Sequence, residues 1–108
     1  MHYLVDSQPT LASDPPSAVN GVDTVTLTCT KVTADAAVSY KWYKETVLDV
    51  SQTAITWVIG TDKTTGDGSY ECQVVTASGT SRKSAALKVD FLCEYHYYFI
   101  PFDLSLDV

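Results

Sequence analysis

The chain is poor in the residues that build most catalytic centres and in the bases that bind nucleic acid. Its two histidines, His2 and His96, lie at the two ends, and seven Lys and Arg stand against 13 Asp and Glu, for a net charge of −6. That balance argues against a nucleic-acid or anionic-membrane surface. The longest apolar stretch, residues 97–102, is interrupted by Pro101 and is far too short to span a bilayer. We expect no nucleic-acid partner and no insertion into a membrane.

The sequence also lacks the groupings that catalysis and metal binding need. It has no glycine-rich phosphate loop, and without an interior histidine its serines and threonines have no general base. Cys93 and His96 supply two metal ligands where a zinc site needs four. Asp67 and Glu71 share a strand face but are ~13 Å apart. We therefore predict no enzyme activity, no catalytic residues, no metal and no cofactor.

Length and composition fit one ordinary globular domain. We divide the 108 residues into a leader at 1–7, a domain at 8–90 and an aromatic, acidic tail at 91–108. The first residues lack the basic start and apolar core of a signal peptide. We interpret the chain as a domain from a larger protein, with Met1 as an expression start.

Apolar residues alternate with polar ones in segments separated by turn signals, a pattern typical of an all-β sandwich. We predict a first strand at 10–13, a short edge strand at 47–50, and a tight hairpin at Asn20-Gly21. The predicted inward-facing rows are Val25, Leu27 and Cys29; Val38, Tyr40 and Trp42; Ile55, Trp57 and Ile59; Tyr70, Cys72 and Val74; and Ala85, Leu87 and Val89. The expected fold is a sandwich of about seven or eight antiparallel strands.

Three segments, residues 24–29, 40–44 and 68–72, carry a family resemblance. They read Thr-Val-Thr-Leu-Thr-Cys, Tyr-Lys-Trp-Tyr-Lys and Gly-Ser-Tyr-Glu-Cys, and together they resemble the immunoglobulin superfamily, closest to its C2 and intermediate sets. The resemblance implies a two-sheet sandwich, a disulfide between Cys29 and Cys72, Trp42 packed on that bridge, and a tyrosine corner at Tyr70. Intracellular members of the superfamily offer the alternative of two buried free thiols.

The chain departs from the family pattern between residues 60 and 67. The acid usually found four residues before the corner tyrosine is replaced by Gly66, and Asp67 follows one place later. Asp62 stands where the family carries a buried aliphatic residue. We expect a locally altered turn. Only 30 residues separate Trp42 from Cys72, which is too few for the two extra strands of variable-type domains.

One outward sheet face combines aromatic and basic residues, which are frequent at protein interfaces. It serves as a candidate binding face, with a plain solvated face as the alternative. Its residues are Lys41, Tyr43, Glu71, Gln73, Val75 and Lys88.

The tail continues the apolar alternation of the last strand. Phe91, Cys93, Tyr95, Tyr97 and Phe99 extend the inward row, which would make that strand longer than the ~10 residues that strands rarely exceed. Three interpretations stay open: a linker or read-through, a segment folded back on its own domain, or a strand that joins a second protomer. The last would make Cys93, Tyr95, Tyr97 and Phe99 a homodimer element.

The first functional hypothesis is an extracellular recognition module of a cell-surface or secreted receptor or adhesion protein, with a protein ligand. The alternatives are a structural spacer in a multi-domain array, including an intracellular filament, and a secreted innate-immune binder. A closed disulfide would favour the oxidising, extracellular location.

Overall fold

The computed structural model describes residues 8–93, which fold mostly into β-strands. The chain forms β1 (Thr10–Asp14), β2 (Val25–Thr30), β3 (Ala37–Lys44), β4 (Val47–Asp49), β5 (Thr56–Gly60), α1 (Lys63–Gly66), β6 (Gly68–Thr76), β7 (Gly79–Thr80) and β8 (Leu87–Val89). The only helix in this range is a single turn, so no helix among these residues is long and apolar enough to cross a membrane.

Two antiparallel sheets form a β-sandwich, as predicted. The three-stranded sheet has the order β1-β2-β5, and the five-stranded sheet has the order β4-β3-β6, with β7 and β8 both pairing with β6. Outside the named strands, Val19 makes a parallel bridge to Leu92. The chain before β2 thus pairs with two partners: β1 pairs with β2, and Val19 pairs with the segment after β8.

The predicted disulfide between Cys29 and Cys72 is present and joins β2 to β6 across the core. Trp42 is directly opposite Cys72 in the β3–β6 ladder and is fully buried. Its indole Nε1 donates a 2.7 Å hydrogen bond to the carbonyl of Ala54. The ring meets Trp57 edge-on at 5.8 Å between centroids, an arrangement that aromatic pairs prefer.

Three of the predicted inward positions are exposed in the structure, and the first two lie in β3 and just before β5. Val38 is 70% exposed, because the register with β6 shifts between Ala37 and Ser39 and the irregularity turns this side chain outward. Ile55 is 47% exposed, because it precedes the first residue of β5. The alternation of Val25, Leu27 and Cys29 is confirmed, since all three are buried.

The last predicted strand, with Ala85, Leu87 and Val89 as its inward row, begins only at Leu87 in the structure. Between β7 and β8, the buried hydroxyls of Ser81 and Ser84 accept hydrogen bonds from the backbone of Val74 and Cys72, at 2.9 and 3.0 Å. These side chains take over part of the main-chain ladder, and Ala85, predicted to face the core, is exposed. The prediction for Ala85 is therefore wrong.

The apolar row of the tail also ends earlier than predicted. β8 stops at Val89, Phe91 enters the core with 1% of its surface exposed, and Cys93 is an exposed free cysteine. A continuous strand through residue 93 is therefore wrong. The other members of the predicted dimer element, Tyr95, Tyr97 and Phe99, lie outside the described residues.

Asn20-Gly21 forms a turn without the predicted hairpin. The amide of Val22 donates to the carbonyl of Val19 at 3.0 Å, and Gly21 takes a φ of 79°, which only glycine adopts without strain. The residue before the turn pairs with Leu92 and not with β2. The turn therefore connects a residue that pairs with Leu92 to the strand β2, and the segments on its two sides do not pair with each other.

The corner between the sheets contains α1, whose first turn is capped by Asp62. The Asp62 carboxylate accepts from the backbone amide of Thr64 at 3.0 Å, a standard N-cap. At the other end, the hydroxyl of Tyr70 donates a 2.6 Å hydrogen bond to the buried carbonyl of Gly66. That bond ties β6 to backbone four residues upstream.

Candidate protein-binding face

The predicted candidate face lies on the outer side of the five-stranded sheet, where the strand registers bring most of its members together. Tyr43 is opposite Leu48 on β4 and opposite Glu71 on β6. Lys41 is opposite Gln73, and Ser39 is opposite Val75. We call this surface the tyrosine face and define it by Lys41, Tyr43, Leu48, Glu71, Gln73 and Val75.

A hydrogen-bond chain fixes the centre of the tyrosine face. The Tyr43 hydroxyl donates to Oε1 of Gln73 at 2.5 Å, and Nε2 of Gln73 donates to the carbonyl of Ser81 at 2.9 Å. Partial burial, together with the negative charge of Glu71, raises the pKa of Tyr43. The phenol therefore stays protonated at neutral pH and keeps its role as donor.

Lys83 completes the face, although no motif in the sequence predicted that it would belong there. Its ammonium lies 4.1 Å from the centroid of the Tyr43 ring and 3.8 Å from the carboxylate of Glu71. Lysine over an aromatic ring is a favourable cation–π arrangement. Lys83 belongs to the interrupted stretch between β7 and β8, where no strand periodicity places its side chain.

Lys88, the sixth predicted residue of the face, is separate from this cluster. It is opposite Ser69 near the beginning of β6, at the end of the sheet next to α1. The pKa of Asp90 is lowered mainly by a hydrogen bond from Lys63, and the charge of Lys88 contributes to the same shift. Lys88 therefore adds positive charge to the end of the sheet that lies next to α1.

A shallow groove of about 180 Å³ lies beside Lys41 along the β4 edge. Leu48 and Val50 line it and are 41% and 79% exposed. Asp49, also in its wall, is held by Ser51, whose hydroxyl donates to the carboxylate at 2.6 Å and lowers its pKa. The groove adds exposed aliphatic surface to the basic and aromatic groups.

The tyrosine face combines residue types that are frequent at protein interfaces. Among residues 8–93, no three His, Cys, Asp or Glu side chains are close enough to hold a metal ion together. The cluster instead presents one ordered aromatic ring, two lysines with one partly neutralising glutamate, and an aliphatic edge. No model of a known protein family matches the chain, and no curated protein matches it significantly.

Proposed function

We propose that this chain is an extracellular, immunoglobulin-like recognition module of a receptor or adhesion protein, and that it binds a protein ligand through the tyrosine face. The observation that carries the proposal is the ordered Tyr43–Gln73–Ser81 chain with Lys83 above the ring. A side chain that is already fixed loses little conformational entropy on binding.

Several features support the immunoglobulin-like part of the proposal. The disulfide joins one strand of each sheet, the buried Trp42 is opposite one of its cysteines, and the Tyr70 hydroxyl bonds to backbone four residues upstream. All three are marks of that architecture. The disulfide is also compatible with an oxidising location outside the cell.

The charge of the face indicates the kind of ligand. On the tyrosine face Lys41 and Lys83 outnumber Glu71, although the net charge of the chain is −6. Leu48 adds aliphatic surface to the adjacent groove, whose wall also contains Asp49. Electrostatic complementarity steers encounter and selects partners. We infer a protein ligand that presents acidic side chains around an apolar residue able to enter the groove.

Binding of the multimerised full chain to a panel of cell-surface and secreted ectodomains tests the proposal. Leu48→Asp should weaken binding to any ligand found by at least about tenfold, because it places a negative charge beside Tyr43, in the groove that the ligand's apolar residue would enter. Ala12→Asp, an equal change of charge on the exposed outer side of β1, is the matched control and should leave binding unchanged. If both variants weaken binding equally, or if neither does, the ligand does not bind through the tyrosine face. If no ectodomain in the panel binds the chain, the result favours the structural spacer alternative.

A further inference from the structure

The outer edge of β5 is an open strand edge in the three-stranded sheet. Among the described residues, β5 pairs with β2 on one side and with no strand on the other. The carbonyl of Ile55 accepts from the amide of Cys29 and therefore points toward β2. Because backbone groups alternate along an antiparallel strand, the amides and carbonyls of Thr56 and Val58 point away from β2.

The other edges of the described sandwich carry features that discourage strand pairing. β1 is followed directly by Pro15 and Pro16. β4 is only three residues long, and β7 and β8 are separated by a stretch that contains Arg82 and Lys83. Short edge strands, prolines and charges are common ways in which sheets avoid association through their edges.

The β5 edge has none of these features. Residues 51–61 contain no charged residue and no proline. Val58 is 59% exposed, and Thr56 beside it is exposed as well. An uncharged, β-branched and accessible edge of this kind is a template for another strand.

We propose that β5 is a self-association edge, through which two copies of this chain form a weak two-fold dimer. The partner that fits this edge is a second copy of the chain. The edge has no charge that would select a different partner, and two β5 strands can pair with each other in antiparallel orientation. With antiparallel pairing centred on Trp57, Thr56 of each copy is opposite Val58 of the other. Each such pair exchanges two hydrogen bonds, which gives about four for the dimer.

The side chains agree with that register. Thr56 and Val58 form β-branched pairs across the new ladder, and such cross-strand pairs stabilise sheets. The two Trp57 residues meet at the centre as a non-hydrogen-bonded pair, the closer of the two pair types. Trp57 is half-buried in the isolated chain, so its ring gains cover on association. Gly60, with a φ of 94°, ends the regular part of the strand.

The contact is small, so the dimer is weak. Five-residue strands paired along one edge bury far less than the ~1,200 Å² of a standard stable interface. The resulting assembly is a continuous six-stranded sheet, β1-β2-β5 in one copy joined to β5-β2-β1 in the other. The tyrosine face lies on the other sheet of the sandwich and stays free in both copies, so this edge does not depend on the proposed ligand.

Sedimentation velocity on the full chain, from about 10 µM to about 1 mM, tests the proposal. A Cys93→Ser background removes the exposed thiol as a source of covalent dimers. We expect a reversible monomer–dimer equilibrium, with tryptophan emission shifting to shorter wavelength as dimer forms, because Trp42 is already fully buried and Trp57 is the tryptophan that gains cover.

Two variants of the β5 edge and one matched control distinguish dimerisation through β5 from dimerisation through another surface. Val58→Pro removes an amide that has no partner in β2, and Val58→Lys leaves the backbone intact but adds a charge. Each should raise the dimer dissociation constant at least about tenfold. Val47→Lys, at a 67% exposed position on β4, should leave it unchanged. A chain that is monomeric up to about 1 mM overturns the proposal. So does a dimer that persists in both folded Val58 variants, as a dimer made by residues 94–108 would.

Discussion

Tyr70 connects the β6 strand to the corner that contains α1. Its hydroxyl donates to the carbonyl of Gly66, and its ring meets Trp57 edge-on at 5.3 Å between centroids. A buried carbonyl that loses its donor costs more than the mean value of the bond suggests, because water does not replace the donor. One phenol therefore stabilises both the aromatic core and the position of the helix.

Tyr70→Phe should lower the free energy of unfolding by ~1–2 kcal/mol at pH 7, through the unpaired Gly66 carbonyl. Urea unfolding followed by tryptophan fluorescence measures it. An unchanged unfolding midpoint would show that the corner bond contributes nothing to stability.

The same side chain predicts an alkaline loss of stability. Burial, with the negative charges of Asp67 and Glu45, raises the pKa of Tyr70 to about 12, against about 10 for an exposed tyrosine. Because the folded state holds this proton more tightly, the contribution is fully present below about pH 10 and is lost as the pH rises toward 12. The stability difference between the natural chain and Tyr70→Phe should therefore narrow over that window. A difference that stays constant would contradict the assignment.

The helix α1 links the corner to the segment that follows β8. The ammonium of Lys63 lies 2.8 Å from Asp67 and 2.7 Å from Asp90, and these two carboxylates raise the pKa of Lys63. The other carboxylate oxygen of Asp67 accepts from the amide of Phe91 at 2.8 Å. The altered turn expected from the sequence is thus a one-turn helix whose polar groups hold the segment that follows β8.

Gly66 lies directly against Phe91, so a methyl group at this position should be destabilising. A Cβ at Gly66 would come within 2.6 Å of the Phe91 ring. Because that ring is buried and can move only by disturbing its neighbours, Gly66→Ala should cost about 1–3 kcal/mol. Thr65→Ala, an exposed position in the same helix, is the control and should change stability by less than about 0.5 kcal/mol. Equal unfolding midpoints for the two variants would contradict the close contact.

At the scale of the whole molecule, the core extends one residue past the predicted domain boundary at position 90. Phe91 is among the largest fully buried side chains. The amide of Leu92 then donates to the carbonyl of Ala18, and its carbonyl accepts from Asn20, both at 2.7 Å. The segment after β8 therefore closes the end of the sandwich against the early chain.

A chain that ends at Asp90 should be less stable than one that ends at Cys93 by about 3–5 kcal/mol, the usual cost of deleting a buried phenylalanine. Phe91→Ala in the full chain should show a loss of similar size. Leu92→Ala, which removes a side chain that is 39% exposed, should cost clearly less. Guanidinium unfolding of these four chains and of the unaltered full chain measures the differences. Equal stability of the two truncated chains would show that the domain boundary lies at position 90.

The β-sandwich and the disulfide that joins its two sheets could both be predicted from the sequence alone. The alternation of Val25, Leu27 and Cys29 reports a half-buried strand directly, because a strand with one buried face must place every second side chain inside. The pairing of Cys29 with Cys72 and the burial of Trp42 followed from the family resemblance, and the structure contains both. The outward positions of Tyr43, Glu71 and Gln73 followed from the same alternation.

Only the tertiary structure decided where the alternation fails and which residues meet across the surface. The irregularity at Val38 and the interruption before Ala85 depend on hydrogen bonds from partner strands, which a local pattern does not contain. Lys83 contacts Tyr43, which is 40 positions earlier in the sequence, and Phe91 contacts Gly66, which is 25 positions earlier. Such contacts form only when the strands assemble into the folded sandwich. The sequence determines which side of a strand is apolar, whereas the packing of the two sheets determines where each strand ends and what covers its edge.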